Sequence, residues 1–177
     1  MTLNANPQRK TLRALHALYE KTFPRSEKKP FFVILQKRRK GTMEIISVED
    51  ENGGFLGFAI TILHKDIVLL DYFAISPAFR GQGIGSKVLE ALEQRYEGKR
   101  ILLEIEDPDE PADNTAERLR RREFYLRNGL TIQDYKVWLF GVKMLILTNR
   151  STVTFEEYHE IFEKVFSLKL SKNVTKA

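Results

Sequence analysis

The stretch Ile75-Ser76-Pro77-Ala78-Phe79-Arg80-Gly81-Gln82-Gly83-Ile84-Gly85-Ser86 packs three glycines into five positions directly after an apolar run, Ile67-Val68-Leu69-Leu70-Asp71-Tyr72-Phe73-Ala74-Ile75. That run is too continuous for a strand with one wet face, so it predicts a central strand buried on both sides. From Gly83 to Tyr96, the residues Ile84, Val88, Leu89, Leu92 and Tyr96 recur at helical spacing. A strand therefore leaves through a short loop into a glycine-rich helix start. The first turn of a helix has backbone N–H groups with no internal partner, and the macrodipole adds partial positive charge there, so the place favours an anion. Glycines let the backbone approach a pyrophosphate closely, and Arg80 adds a charge-assisted donor. The bland alternative is a turn that only packs a helix tightly on a sheet.

Spacing narrows the ligand. A nucleoside-triphosphate loop needs Gly, four residues, then Gly-Lys-Ser/Thr, and no glycine here satisfies that count. A dinucleotide fingerprint counted from Gly81 puts Ser86 where its last glycine belongs, and four residues separate Ile75 from Arg80. Glu104 does fall near that motif's ribose-binding acid, which keeps the dinucleotide reading as a runner-up.

Outward from this segment, residues Gln8 to Thr22 carry Leu12, Leu15, Leu18 and Tyr19 at helical spacing. A second helix is predicted from Ser26, as its cap, to Arg39, with Phe32 and Leu35 inward. A period of two through Met43, Ile45 and Ile46, the turn Glu51-Asn52-Gly53-Gly54, and Phe55 to Leu63 predict a β-hairpin. Ile101 to Glu106 is a strand reached from the central one through a helix, hence a parallel crossover. A helix from Asn114 to Asn128 stops at Gly129 in a left-handed cap. Strands follow at Leu130–Phe140 and Val142–Leu147, and Thr154-Phe155-Glu156-Glu157 is a capping box that opens a terminal helix. The sequence shows no clear strand before the first helix and leaves open whether an irregular one precedes it, and the tail 169–177 is expected to be disordered.

The 177 residues, without repeat or linker, are read as one domain, whose core would bury roughly 70% of the unfolded surface. Lys and Arg exceed Asp and Glu by 29 to 24, a mild +5 that an anionic small molecule satisfies as well as nucleic acid would. With no cysteine, disulfides, thiolate metal sites and cysteine nucleophiles are excluded, and a cytoplasmic location is expected. The start, Met1 to Pro7, lacks the apolar region of a secretory signal. The longest apolar stretch, Val137 to Leu147, is too short to span a membrane. His16, His64 and His159 lack metal-ligand spacing, so no metal is expected. The basic runs Lys37-Arg38-Arg39-Lys40 and Arg120-Arg121-Arg122 interleave no aromatics and read as solvated faces, so neither nucleic acid nor membrane is an expected partner.

With these elements in place, Arg80, Gly83 and Gly85 resemble the acetyl-CoA motif Arg/Gln-x-x-Gly-x-Gly/Ala of the GNAT superfamily of N-acetyltransferases. Phe124-Tyr125-Leu126-Arg127-Asn128-Gly129-Leu130 is similar to the family's downstream pattern, a tyrosine four residues before a Gly-hydrophobic pair. The resemblance covers about Thr11 to Leu147. It implies an α/β fold of three-layer α+β type: a mixed, mostly antiparallel sheet, a parallel central pair splayed around the cofactor, and helices on both faces. It implies acetyl-CoA as co-substrate, held by Phe73, Ala74, Ile75, Arg80, Gly81, Gln82, Gly83, Ile84, Gly85 and Ser86. The acceptor would be a primary amine of a small molecule or peptide. A non-catalytic CoA- or nucleotide-binding module is the alternative, and a homodimer through exchanged strands is compatible with either.

The family often has Asn and Ala seven and four residues before the tyrosine, where this chain has Arg118 and Arg121. Together with Tyr125 these fall within an arc of roughly 60° on one helix face. They are placed either to grip CoA phosphates or to form a solvated surface. An alkyl amine is neutral only about one part in a thousand near neutral pH, so a base is needed. Acids on the two central strands are the candidates: Asp71, Glu104 and, at period two, Glu106. Tyr125 is the candidate proton donor to the departing thiolate, and a backbone N–H near Ala74 is the donor to the oxyanion. Phe23, Tyr135 and Trp138 are candidate walls of an acceptor pocket.

Overall fold

A computed structural model of the chain describes residues 1–25, 27–149 and 151–177. Its elements are β1 (Thr2–Asn4), α1 (Arg9–Thr22), α2 (Phe31–Arg39), β2 (Met43–Glu49), β3 (Phe55–His64), β4 (Ile67–Ile75), a 3-10 turn (Pro77–Phe79), α3 (Ile84–Arg95), β5 (Arg100–Glu106), α4 (Thr115–Arg127), β6 (Thr131–Leu139), β7 (Val142–Thr148), α5 (Phe155–Ile161), a π-helical turn (Phe162–Phe166), α6 (Leu168–Ser171) and β8 (Val174–Lys176). The sheet has eight strands in the order β1-β2-β3-β4-β5-β7-β6-β8. It is mostly antiparallel, with one parallel pair in which Ile67, Val68 and Leu69 of β4 face Arg100, Ile101 and Leu102 of β5. No helix among the described residues is long and apolar enough to cross a membrane.

The chain divides into two compact units. The first comprises Met1–Leu63 and Leu70–Glu97. In α1 the helical period buries Leu15, Leu18 and Tyr19 on one face. The β2–β3 hairpin pairs Met43 with Ile62 through to Glu49 with Phe55. Its turn is held by the Asp50 carboxylate, which accepts from the N–H groups of Asn52 and Gly54 at 2.8 and 2.7 Å. Along β4, Tyr72 and Ala74 are buried, whereas Asp71, Phe73 and Ile75 are half-buried and share the other face. A Cβ on Gly57 would lie 2.4 Å from the Ala74 carbonyl oxygen and 3.0 Å from the Ile75 Cα, so only glycine lets β3 approach β4 this closely.

The second unit comprises His64–Leu69 and Gly98–Ala177. Antiparallel pairing joins β5 to β7, β7 to β6 and β6 to β8. The capping box forms as expected, Thr154 and Glu157 each accepting from the other's backbone N–H. Arg100 ties the unit together, donating to Asp66 and to Glu157, each at a shortest distance of 2.7 Å.

One point that the sequence leaves open is resolved and two expectations are corrected. A first strand exists: β1 pairs Thr2, Leu3 and Asn4 with Glu49, Val48 and Ser47, a three-residue ladder too short to leave a period in sequence. The second helix begins at Phe31, because Pro30 suits the position just before a first turn. Its buried residue is Ile34, whereas Phe32 is 72% exposed and Leu35 half-buried. The expected cap, Ser26, lies outside the described residues. The tail expected to be disordered forms α6 and β8, where Val174, Thr175 and Lys176 pair with Leu139, Trp138 and Val137. Its polar composition hid a strand whose stability comes from backbone pairing and from the buried Val174.

Gly57→Ala is expected to destabilise the fold by about 1–3 kcal/mol, because the new methyl's nearest contact is a backbone carbonyl that cannot swing aside. Urea unfolding checks this: the midpoint should fall with the slope unchanged.

Candidate active site

In the first unit, β4 delivers the chain to the glycine-rich turn. Gly81 and Gly83 have φ of +77° and +74°, a left-handed backbone that side chains rarely adopt. No atom lies within 4 Å of the Cβ position at either residue, so the backbone conformation and not crowding selects glycine. Arg80 folds back, its Nε donating to the Ile75 carbonyl at 3.0 Å, and the Gln82 side-chain amide donates to Ala78 O at 3.2 Å. The first bond of α3 runs from the Lys87 N–H to Gly83 O at 3.2 Å. Between these clamps the six consecutive N–H groups of Gly81, Gln82, Gly83, Ile84, Gly85 and Ser86 meet no acceptor among the described residues. Gly81, Gln82 and Gly83 are exposed, and the next three residues half-buried. Such an array at a helix N-terminus fits a diphosphate in charge and in donor density.

Also in this unit, Asp71 sits on β4 with its side chain 3% exposed, and its Oδ1 accepts from Lys29 Nζ at 2.7 Å. Its other oxygen, Oδ2, is buried and unbonded. The neighbouring Tyr72 hydroxyl donates to Glu27 O at 2.7 Å and accepts from the Lys29 N–H at 3.0 Å. Tyr19 donates to Lys29 O at 2.8 Å, and burial pushes its phenol well above the ordinary value. Phe23 packs edge-on against Tyr72 with ring centroids 4.9 Å apart, so it belongs to this aromatic cluster. The segment between α1 and α2 is thus latched to β4 by hydroxyls and one ion pair.

In the second unit, Glu104 of β5 accepts from the buried Tyr158 hydroxyl at 2.6 Å. Glu106 accepts from Arg118 at 2.6 Å and Arg121 at 3.3 Å. Arg118 also donates to Asp107 O at 3.2 Å, and its Nε is buried and unbonded. Both arginines therefore spend their charge on a carboxylate of the adjoining strand. Tyr125 is buried, and burial lifts its phenol to about 12 against a smaller lowering by Arg121. Tyr135 is buried with its hydroxyl on Val153 O, while Trp138 is 40% exposed beneath Lys143. No group of three or more metal-ligating side chains occurs among the described residues.

Sequence reasoning placed Asp71, Glu104 and Glu106 on these strands but missed Lys29, Tyr72 and Tyr158 as their neighbours. A signal existed for two of them: a buried tyrosine hydroxyl must find a partner, and both Tyr72 and Tyr158 stand at apolar-periodic positions.

The sequence profile of the acetyltransferase (GNAT) family matches residues 12–120, more than half of the chain. The chain belongs to this family. It is 32% identical over 111 residues to YjbC of Bacillus subtilis (strain 168), which carries the provisional name of acetyltransferase; the match takes in 55% of this chain and 50% of that protein. The chain thus spans about half the length of that curated relative. Among solved structures, this GNAT chain is similar in fold to a GNAT-family protein of Bacteroides thetaiotaomicron, with TM-score 0.77, 21% identity, and coverage of 97% of this chain and 99% of that one. It is also similar to the spermidine N-acetyltransferase of Vibrio cholerae in complex with CoA and spermine, with TM-score 0.65, 15% identity, and coverage of 83% and 93%. The ribosomal-protein-S18-alanine N-acetyltransferase of Escherichia coli aligns with TM-score 0.61 at 19% identity over 86% and 96%.

Asp107 and Glu44 are two of the carboxylates of this GNAT chain that the fold holds below their ordinary pKa. Burial alone would raise Asp107, but Lys136 at 2.7 Å and the Asp109 N–H outweigh it and hold the group below its ordinary 3.8. Burial likewise opposes Arg95 and Tyr96 at Glu44, and again the donors win. A carboxylate lowered in the folded state adds stability that is present above its unfolded pKa and lost as pH falls through the folded one. Unfolding free energy should therefore drop as pH is taken from about 5 to about 3, and Asp107→Asn should flatten that slope.

Proposed function

We propose that residues 1–177 act as one N-acetyltransferase domain that moves the acetyl group of acetyl-CoA to a primary amine of a small molecule or peptide, by direct attack with both substrates bound. The observation that carries this reading is the run of six open backbone N–H groups from Gly81 to Ser86. A diphosphate would take up these donors, and the guanidinium of Arg80 adds charge at the same turn. The half-buried Phe73 and Ile75, with Ala74 between them, are the stretch of β4 assigned to the pantetheine arm. When bound, acetyl-CoA supplies the activated thioester carbon.

The roles of the remaining residues follow from their surroundings. Asp71 is engaged by Lys29, Glu106 by two arginines, and the Glu104 carboxylate by the Tyr158 hydroxyl. Glu104, on β5, is assigned to take the proton of the attacking ammonium, directly or through water. Tyr125, with a phenol near 12, stays protonated at neutral pH and can donate to the departing sulfur. The Ala74 N–H is assigned to the oxyanion. Arg118 and Arg121 order Glu106 and are not assigned to phosphates. Relatives of the same fold whose names specify an acceptor include one for spermidine and one for a protein alanine, which sets the range of amines to try.

A thiol-release assay with acetyl-CoA across polyamines, aminoglycosides, amino acids and N-terminal peptides tests cofactor and acceptor together, with calorimetry reporting CoA binding. Tyr125→Phe should lower kcat by roughly 10²-fold while CoA affinity stays within about twofold. An unchanged rate would remove Tyr125 from the mechanism, and absence of CoA binding would remove the transferase reading.

A further inference from the structure

The Lys29–Asp71 pair has features that a stabilising surface ion pair does not need. It is the lysine–carboxylate pair in the first unit whose acid lies on β4, since the neighbouring Lys28 pairs with Glu20 of α1. The carboxylate is almost completely buried, yet the ammonium bonds only one of its oxygens and the other has no partner. Leaving a buried carboxylate oxygen unpaired costs free energy that a well-packed apolar residue would not incur. Lys29 is held by its own main chain as well, its N–H on Tyr72 and its carbonyl on Tyr19, and its Nζ stands 5.2 Å from the centre of the Tyr72 ring. Its side chain is 23% exposed, so the ammonium is fixed but not sealed.

Position gives this arrangement a chemical meaning. Asp71 shares a strand face with Phe73 and Ile75, and four residues at about 3.3 Å each put it roughly 13 Å along β4 from the strand end at Ile75, whose carbonyl Arg80 bonds just before the open-amide turn. A diphosphate held at that turn, with its extended pantetheine arm running back along the strand, would bring its reactive end toward Asp71. An alkyl ammonium already touching a carboxylate there is a primary amine with a proton acceptor in place.

We propose that Lys29 is a self-acetylation site: in the absence of another amine, its Nζ takes the acetyl group from acetyl-CoA bound to the same chain. This rests on the transferase reading above. In the step, Nζ bonds to the acetyl carbonyl carbon and the thioester C–S bond breaks, its electron pair leaving on sulfur. Of the two protons that nitrogen gives up, one passes through Asp71 to water and the other ends on the sulfur of free coenzyme A. The product is a neutral amide, so the ion pair is lost and the Asp71 carboxylate is released. Lys29 thereby senses whether charged cofactor is present without an acceptor.

The test uses the full chain, first with CoA alone and then with acetyl-CoA and no acceptor. With CoA alone, the free protein and the CoA-saturated protein are labelled with an amine-reactive acyl reagent. Saturation should lower labelling of Lys29 by about tenfold and leave the exposed Lys10 and Lys21 unchanged. With acetyl-CoA, mass spectrometry should find one acetyl group per chain, mapped to Lys29, appearing at a rate independent of protein concentration. Lys29→Arg keeps the charge on Asp71 and should lose that mark. Acetylation spread evenly over exposed lysines, a rate that rises with protein concentration, or a Lys29 that CoA does not shield overturns the proposal. If calorimetry shows CoA binding and the amine panel is turned over while Lys29 stays unmodified, self-acetylation alone fails. If no CoA binds, the transferase reading fails with it.

Discussion

A chain of backbone amides cannot be left open in a protein interior, because each unpaired N–H forfeits the hydrogen bond it had in water. The turn at Gly81–Ser86 avoids that cost by keeping its first three residues at the surface. The conformation depends on two left-handed residues, Gly81 and Gly83, since a β-branched side chain at either φ would be strained wherever its atoms went. Arg80 contributes before any ligand arrives: by bonding the last carbonyl of β4, it fixes the distance between strand end and helix start. The open row of amides is therefore a property of main-chain geometry, anchored by one side chain and permitted by two missing ones.

Charge elsewhere is arranged to be absorbed. The arginines of α4 look in sequence like a basic face, yet Glu106 takes a guanidinium on each of its oxygens. The buried Glu106 carboxylate would be costly alone, and so would Arg118, whose side chain is 12% exposed. Each makes the other tolerable. Removing Glu106 would leave two cations facing a low-dielectric surround, whereas removing one arginine would leave the second in place. The excess of basic residues consequently overstates how much free positive charge the second unit presents to a ligand.

What was legible in the sequence was whatever repeats. The β2–β3 hairpin with its turn near Glu51–Gly54, the stripe on α3 and the capping box at Thr154 are local patterns that survive translation into structure, whereas the two-sided burial expected of β4 holds for Ile67–Leu70 and gives way to a half-buried face at Asp71, Phe73 and Ile75. The glycine turn was legible for the same reason: its spacing and its demand for positive φ are written in consecutive residues. The elements that escaped are those made by distant partners. β1 and β8 are three residues long, and nothing in Thr2–Asn4 or Val174–Lys176 announces a strand until Glu49 or Leu139 lies alongside. Phe32 reads as inward, an apolar residue at helical spacing from Leu35, but the first five residues of this helix, Phe31 to Leu35, are all apolar, so the pattern fixes no single face, and Ile34 is the one buried. The chemistry divided in the same way: acids could be placed on strands, but their partners Lys29, Arg118 and Tyr158 lie 42, 12 and 54 residues away along the chain.

The latch between α1 and β4 shows why such distant partners matter. Tyr19, Phe23 and Tyr72 form an apolar cluster whose rings meet at 4.9 to 5.7 Å, and two of the three carry hydroxyls that burial would penalise if unpaired. Both hydroxyls are satisfied by the main chain of Glu27 and Lys29, so packing the rings and placing that segment are one event. A peptide held at two carbonyls and one N–H has little freedom left for the side chain it carries. Lys29 is thus delivered to Asp71 as a consequence of aromatic packing two layers of contacts away. Loosening the rings would displace the ammonium without touching either member of the ion pair. Within the first unit, then, the strand that leads to the glycine turn and the segment that carries Lys29 are held together by the same set of ring contacts and main-chain hydrogen bonds.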